Sequence, residues 1–222
     1  MTNCIVAGPP RSGAHQVSKF LSNKYKYAWA GEPTIRSRNT PPIHVFKRIQ
    51  QFKNTCWIWH PSAMFADPFA TSRDPNKADL GIYYTFENIH ELVPGFYEWI
   101  TQQEIHWVDT NDSLRHIIST ELVWKTQIAH TYTSTEHVIK SFTLPRGRFE
   151  KIKQSWIECQ TIKKHLNIVQ TWMLQDIDKN VYDIPTGRYK LPNRTYPHLT
   201  QEQIYNKCEN INEVREWVKE LG

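Results

Sequence analysis

This chain of 222 residues is poor in the residue patterns that build several common functional sites. Its cysteines form no C-x-x-C pair, which argues against a zinc site, and they are too far apart to indicate a disulfide framework. The sequence contains no H-E-x-x-H motif for a metal and no G-x-S-x-G motif for a serine hydrolase. We therefore expect a site without metal, and reduced, buried thiols at Cys4, Cys56, Cys159 and Cys208.

Long apolar runs and strong charge are also missing. No stretch of about 18 apolar residues is present, and no charged-then-apolar signal pattern precedes the first apolar segment. These features predict a soluble, cytoplasmic protein with no membrane partner. Lys and Arg number 27 against 22 Asp and Glu, a net charge of +5 that favours an anionic ligand. Basic and aromatic residues do not interleave as in an RNA-binding sheet, so no nucleic-acid partner is expected.

The first 21 residues have the pattern of a phosphate cradle. Residues 3–7 (NCIVA) predict a short strand, residues 8–13 (GPPRSG) a glycine-bounded loop, and residues 14–21 a helix with apolar positions at helical spacing. In such a strand–loop–helix unit, backbone N–H groups and the helix N-terminus favour a bound anion. The sequence therefore predicts a phosphate-binding loop after the first strand.

The same loop departs from a nucleotide triphosphate site. Its two glycines are five positions apart, as in a Walker A loop, but Ala14 and His15 occupy the places of the Lys and Ser/Thr. A nucleoside triphosphatase needs that lysine on the phosphates and that hydroxyl on magnesium. The loop is thus expected to hold phosphate without a magnesium triphosphate, with Arg11 as the substitute cation.

Strands and helices alternate along the rest of the chain, which predicts one α/β domain over residues 1–222, with a mostly parallel sheet flanked by helices. In such a fold, ligands bind beyond the carboxyl ends of the strands. Segments 62–80 and 178–194 are expected to cover the site. Further strands are predicted at residues 27–30, 55–59, 80–86, 105–108 and 168–174, and helices at 44–52, 88–103, 112–126, 145–166 and 202–221.

Several segments together resemble the sulfotransferase family, whose 5′-phosphosulfate loop commonly reads P-x-[RK]-S-G-T. Besides residues 8–13, these are residues 30–33 (AGEP), 108–130 (VDTNDSLRHIISTELVWKTQIAH), 171–177 (TWMLQDI) and 211–214 (INEV). The resemblance implies a P-loop NTPase-like sulfotransferase topology. It also implies transfer of a sulfuryl group from 3′-phosphoadenosine-5′-phosphosulfate (PAPS), without metal, to a hydroxyl-bearing acceptor such as a sugar or glycan.

The resemblance also implies which residues bind the nucleotide donor. In the family, an arginine at a strand end and a serine eight residues later hold the 3′-phosphate. Here Ser119 matches the serine, while Asn111 stands at the arginine position, so Arg115 or Arg188 is expected to supply the charge. The alternative for Ser119 is a hydroxyl bonded to its own helix. The 5′-phosphosulfate is expected to bind Pro10, Arg11, Ser12, Gly13, Ala14 and His15, although Ser12 is equally a candidate helix cap.

Two residues are candidates for the general base. Sulfuryl transfer to an alcohol requires removal of the hydroxyl proton, and Glu32 or His60, each at the end of a predicted strand, is placed to remove it. The alternative for His60 is to stabilise charge on the transferring group, and Arg11 is expected to neutralise the charge that develops on the leaving oxygen. Two other functions stay open: an inactive nucleotide- or phosphate-binding module of the same fold, and a divergent nucleotide or sugar kinase.

Overall fold

The computed structural model describes residues 3–34, 41–61, 93–126, 141–173 and 201–220. The described residues contain five strands: β1 (Cys4–Ala7), β2 (Ala28–Gly31), β3 (Thr55–Trp59), β4 (Ile105–Asp109) and β5 (Ile168–Met173). They also contain seven helices: α1 (Ala14–Tyr25), α2 (Pro42–Gln50), α3 (Phe96–Thr101), α4 (Ser113–Thr126), α5 (Arg146–Lys163), α6 (Gln201–Tyr205) and α7 (Ile211–Lys219).

The five strands form one parallel sheet in the order β2-β3-β1-β4-β5. The predicted α/β fold with a parallel sheet is therefore confirmed. β1 lies in the centre, between β3 and β4, and its residues face their partners without interruption, as in the pair Cys4 and Cys56. The loop that follows β1 consequently leaves the middle of the carboxyl edge of the sheet.

Helices cover both faces of this sheet. The connection from β1 to β2 runs in one lateral direction and the return from β2 to β3 in the other. Right-handed crossovers then place α1 and α2 on opposite faces. The packing agrees: Val17 and Leu21 of α1 contact a cluster with Val6, whereas Val45 and Ile49 of α2 belong to a different cluster.

Contacts divide the chain into two compact units, Met1–Asp109 with Ser155–Thr186, and Thr110–Gln154 with Gly187–Gly222. The first unit contains the sheet. Its three central strands, β3, β1 and β4, are largely buried on both sides, as expected for parallel strands, whereas the edge strands β2 and β5 are partly exposed. A large aromatic cluster around Trp57, Trp59 and Trp107 fills one side of the sheet.

The second unit has its own apolar core, formed by α4, α6, α7, the first half of α5 and the segment before it. Phe142 pairs with Cys208 through a short parallel bridge. In the same unit, the buried carboxylate of Glu121 accepts two hydrogen bonds from Arg148, at 2.9 and 3.0 Å.

Two helix predictions are wrong in part. The helix predicted over residues 202–221 is broken into α6 and α7, because the chain between them pairs Cys208 with Phe142 and Asn210 with the backbone of Leu144. The helix predicted over residues 88–103, with a bend near Pro94, is described only from residue 93 onward. There residues 93–95 form a turn in which Gly95 has a φ of +80°, and the helix extends over Phe96–Thr101.

Several predictions lie outside the described residues, among them the strand at residues 80–86 and the covering segments 62–80 and 178–194. The assignment of residues 1–222 to a single domain stays a prediction. Among the helices that the structure describes, none is long and apolar enough to cross a membrane.

Candidate functional site

Three neighbouring strands of the first unit end next to one another. Gly8 follows β1, Glu32 follows β2 and His60 follows β3. The His60 ring bridges the other two, since its Nδ1 lies 2.8 Å from the carbonyl oxygen of Gly8 and its Nε2 lies 3.2 Å from Oε1 of Glu32. The structure thus brings together three features predicted from the sequence: the glycine-bounded loop and both candidate bases.

Gly8 fixes the start of the loop against the sheet. Its N–H donates to the carbonyl oxygen of Trp59, at 3.3 Å. A Cβ atom at this position would lie 2.3 Å from the carbonyl oxygen of Val108 and 2.8 Å from the hydroxyl oxygen of Ser12. Only glycine fits such an approach, so the loop leaves the sheet at a fixed position.

The loop backbone contains two residues in the left-handed region. Arg11 and Gly13 both have positive φ, 68° and 96°, while Ser12 between them does not. Such alternation is typical of a nest, in which successive N–H groups face one side; here the Ser12 N–H donates to the carbonyl oxygen of Pro9. A non-glycine residue in the left-handed region costs about 1–2 kcal/mol, and such strain is concentrated at functional sites. Arg11, the residue with this strained backbone, is exposed.

The next loop residues are covered. Ser12 and Ala14 are buried, and the Ser12 N–H donates to the carbonyl oxygen of Pro9 at 3.1 Å. The Ser12 hydroxyl has no hydrogen-bond partner among the described residues. Gly13, not Ser12, is the N-cap residue of α1, and no side chain caps that helix. The Ser12 hydroxyl is therefore an unsatisfied donor inside the loop, and its role as a helix cap is not seen.

His15, Glu32 and His60 form a cluster that we call the acid–base cluster. Nδ1 of His15 lies 3.4 Å from Oε1 of Glu32, the same oxygen that contacts His60. The side chains of His15 and Glu32 are each 17% exposed and that of His60 is 7% exposed. The sequence predicted His15 as a phosphate ligand, and nothing in its spacing indicated the contact with Glu32.

The hydrogen-bond geometry specifies the position of one proton in this cluster. A carbonyl oxygen only accepts, so Nδ1 of His60 carries a hydrogen toward Gly8. An ionised Glu32 can accept hydrogen bonds from both rings, from Nε2 of His60 and from Nδ1 of His15.

The residues predicted to bind the 3′-phosphate lie in the second unit, around the start of α4. There the carboxylate of Asp112 caps the helix, because Oδ1 accepts the N–H of Arg115 at 2.8 Å. The Tyr205 hydroxyl lies 2.9 and 3.1 Å from the two carboxylate oxygens. Sequence reasoning missed Asp112, although an aspartate directly before a helix is a known capping signal.

Ser119 and Asn111 have less distinctive surroundings. The buried Ser119 hydroxyl donates to the backbone carbonyl of His116 at 3.1 Å, which is the bond to its own helix described as the alternative. Asn111 is exposed. Arg188 lies outside the described residues.

No group of His, Cys, Asp and Glu suited to a metal ion is present in the part of the chain that the structure describes. No protein-family model, no curated protein and no solved structure matches the chain.

Proposed function

We propose that this protein is a sulfotransferase that moves the sulfuryl group of PAPS to a hydroxyl acceptor, on a P-loop NTPase-like topology. One observation carries the proposal: the acid–base cluster contacts the loop after β1 directly, through His60 and Gly8. Sulfuryl transfer needs an anion-binding loop and a proton acceptor side by side, and these are adjacent here.

The position of the loop supports the topology. β1 lies between β3 and β4, and its loop leads into α1 on one face while α2 packs on the other. Ligands of open parallel sheets bind at such a point, where the connections of neighbouring strands diverge. The alternating φ signs at residues 11–13 and the N-terminus of α1 both favour a 5′-phosphosulfate there.

The proposed chemistry is an in-line displacement at sulfur. The acceptor oxygen forms a bond to sulfur as the bond from sulfur to the bridging phosphate oxygen breaks, and adenosine 3′,5′-bisphosphate leaves. The acceptor proton passes to the pair of Glu32 and His60. Arg11 and the loop N–H groups stabilise the charge that develops on the leaving oxygen.

A binding module without turnover is the second candidate, and one observation favours it. Asp112 places a carboxylate at the start of α4, where the resemblance predicted a 3′-phosphate site. A negative side chain at that position repels a phosphate, and the Ser119 hydroxyl is already bonded to its helix. The residues around α4 therefore fit the 3′-phosphate less well than the loop fits the 5′ side.

The test is calorimetric titration with adenosine 3′,5′-bisphosphate, compared with ADP and with ATP and magnesium. Arg11→Lys keeps the charge, whereas Arg11→Asn removes it with a residue that tolerates positive φ. Preference for the bisphosphate, retained in Arg11→Lys and lost in Arg11→Asn, supports the donor site. Arg215→Asn, at an exposed position of α7, is the matched control.

Each other outcome has a defined meaning. Equal binding in all variants contradicts the role of Arg11, and absence of bisphosphate binding contradicts the sulfotransferase function. Tighter binding of ATP with magnesium indicates a kinase. Bisphosphate binding without transfer from labelled PAPS, across sugars and phenols as acceptors, indicates the binding module.

A further inference from the structure

We infer that His15 is a positioning residue that orients the carboxylate of Glu32, and is not a ligand of the donor phosphate. The catalytic role of this contact rests on the proposed function, but the contact between His15 and Glu32 is present in the protein without any ligand. Nδ1 of His15 faces Oε1 of Glu32 at 3.4 Å, with both side chains largely covered.

The His15 ring is held from two sides. Its edge packs against the indole of Trp29 on β2, with ring centroids 6.0 Å apart and planes inclined by 62°. The Trp29 Nε1–H donates to the hydroxyl of Ser18 at 3.1 Å, and that hydroxyl donates to the backbone carbonyl of His15 at 2.9 Å. Residues 15, 18 and 29 are therefore linked in a closed cycle of contacts, in which Trp29 contacts the ring of His15 and Ser18 bonds its backbone.

This cycle of contacts connects α1 to the strand that leads into Glu32, the proposed proton acceptor. Trp29 and Glu32 are three residues apart at the end of β2, so the strand that holds the ring also leads into the carboxylate. His60 contacts Oε1 of Glu32 from the β3 side, at 3.2 Å. Two rings from two elements thus hold one carboxylate oxygen and restrict its orientation.

The charge of His15 also argues against a phosphate ligand. The ring lies in the first turn of α1, where the helix dipole disfavours a cation. A neutral ring has a single N–H, and a hydrogen bond from Nδ1 to Glu32 would use it. In that state Nε2 is a hydrogen-bond acceptor and cannot donate to a phosphate oxygen.

In the proposed reaction, Glu32 accepts the proton of the substrate hydroxyl. A carboxylate offers about four acceptor positions on its two oxygens, and the contacts with the two rings given above are made by Oε1. The acceptor O–H bond breaks as the oxygen–sulfur bond forms, and the proton moves to the carboxylate that His15 and His60 orient.

The first test is nitrogen-15 NMR of the histidine rings in the full chain without ligand. We expect His15 as the Nδ1–H tautomer in the wild type, and loss of that tautomer in Glu32→Ala. The exposed rings of His44 and His165 are the internal controls and should not change. A wild-type His15 in the Nε2–H form, or one that Glu32→Ala leaves unaltered, would overturn the inference. This measurement needs no activity, so failure of the proposed function is distinguished from failure of the contact.

The second test uses three substitutions of one residue. His15→Asn keeps an N–H at the position of Nδ1, His15→Gln keeps one at the position of Nε2, and His15→Ala keeps neither. The carbon-13 shift of the Glu32 carboxyl should change in His15→Ala and His15→Gln and return in His15→Asn. With labelled PAPS, kcat should fall by about tenfold or more in His15→Ala and His15→Gln and recover in His15→Asn. The KM for PAPS should change less. Restoration by His15→Gln instead would identify a phosphate ligand and refute the positioning role.

Discussion

Replacing Gly8 by alanine should destabilise the protein strongly. The new Cβ would lie 2.3 Å from the carbonyl oxygen of Val108, ~1 Å short of ordinary contact. That oxygen belongs to β4, which is hydrogen-bonded to β1 on one side and β5 on the other. Neither strand can move aside alone. Overpacking a core costs about 1–3 kcal/mol, and a backbone obstacle places Gly8→Ala at the upper end, near 3 kcal/mol.

Urea unfolding measures this change directly, and thermal unfolding should show a fall in Tm of about 6–12 °C. Gly147→Ala is the matched control, because a Cβ there meets nothing within 4 Å in the first turn of α5. That substitution should be neutral or stabilising by about 0.5–1 kcal/mol. Gly95→Ala tests conformation without crowding, since its φ is +80° with open space around the Cβ. It should cost about 1–2 kcal/mol.

The comparison refutes the reasoning if Gly8→Ala unfolds within about 0.5 kcal/mol of the wild type, the range of ordinary surface substitutions. Such a result would mean that the loop does not start against β4. If Gly95→Ala cost more than Gly8→Ala, backbone conformation rather than the close approach would be the dominant constraint on glycine in this chain.

Three further predictions concern buried polar groups. Arg148→Met should destabilise the chain by about 3–5 kcal/mol in urea unfolding, because Glu121 stays buried without its cation, and adding Glu121→Leu should recover most of the loss. Burial lowers the pKa of His106 below 6.5, against a smaller opposing effect of Glu104. The folded state therefore binds fewer protons than the unfolded chain, and stability should fall as the pH drops through 6.5; His106→Asn should remove part of that fall between pH 7 and 5. The hydrogen bond to Cys56, together with burial, raises the pKa of the Cys4 thiol. Iodoacetamide should therefore modify Cys4 at pH 8 only when the protein unfolds. Rapid labelling of the native protein would contradict this prediction.

The limits of sequence reasoning are clearest in the C-terminal segment. Residues 202–221 have the composition of one helix, and the helical pattern is present in both α6 and α7. The interruption depends on a distant segment, because Cys208 pairs with Phe142 and Asn210 bonds the backbone of Leu144 in both directions. Periodicity records the local preference and contains no information about such a partner.

In the candidate site, too, the sequence predicted the residues better than the contacts between them. The glycines, the turn after β2 and the histidine after β3 each have a local signal, so Gly8, Glu32 and His60 were all predicted from the sequence. Their mutual contacts were inferred only in general terms, from the rule that parallel strands end at one edge. Asp112 had a capping signal that the sequence reasoning did not use.

By itself, the sequence determined the alternation of strands and helices, the loop after the first strand and the residue types available near it. These depend on hydrophobic period and on glycine, proline and capping preferences, which act over a few residues. Only the tertiary structure decided that His15 contacts Glu32. That contact joins a helix to a strand end 17 positions further along the chain. Strand order and crossover packing set such distances, and no local pattern encodes them.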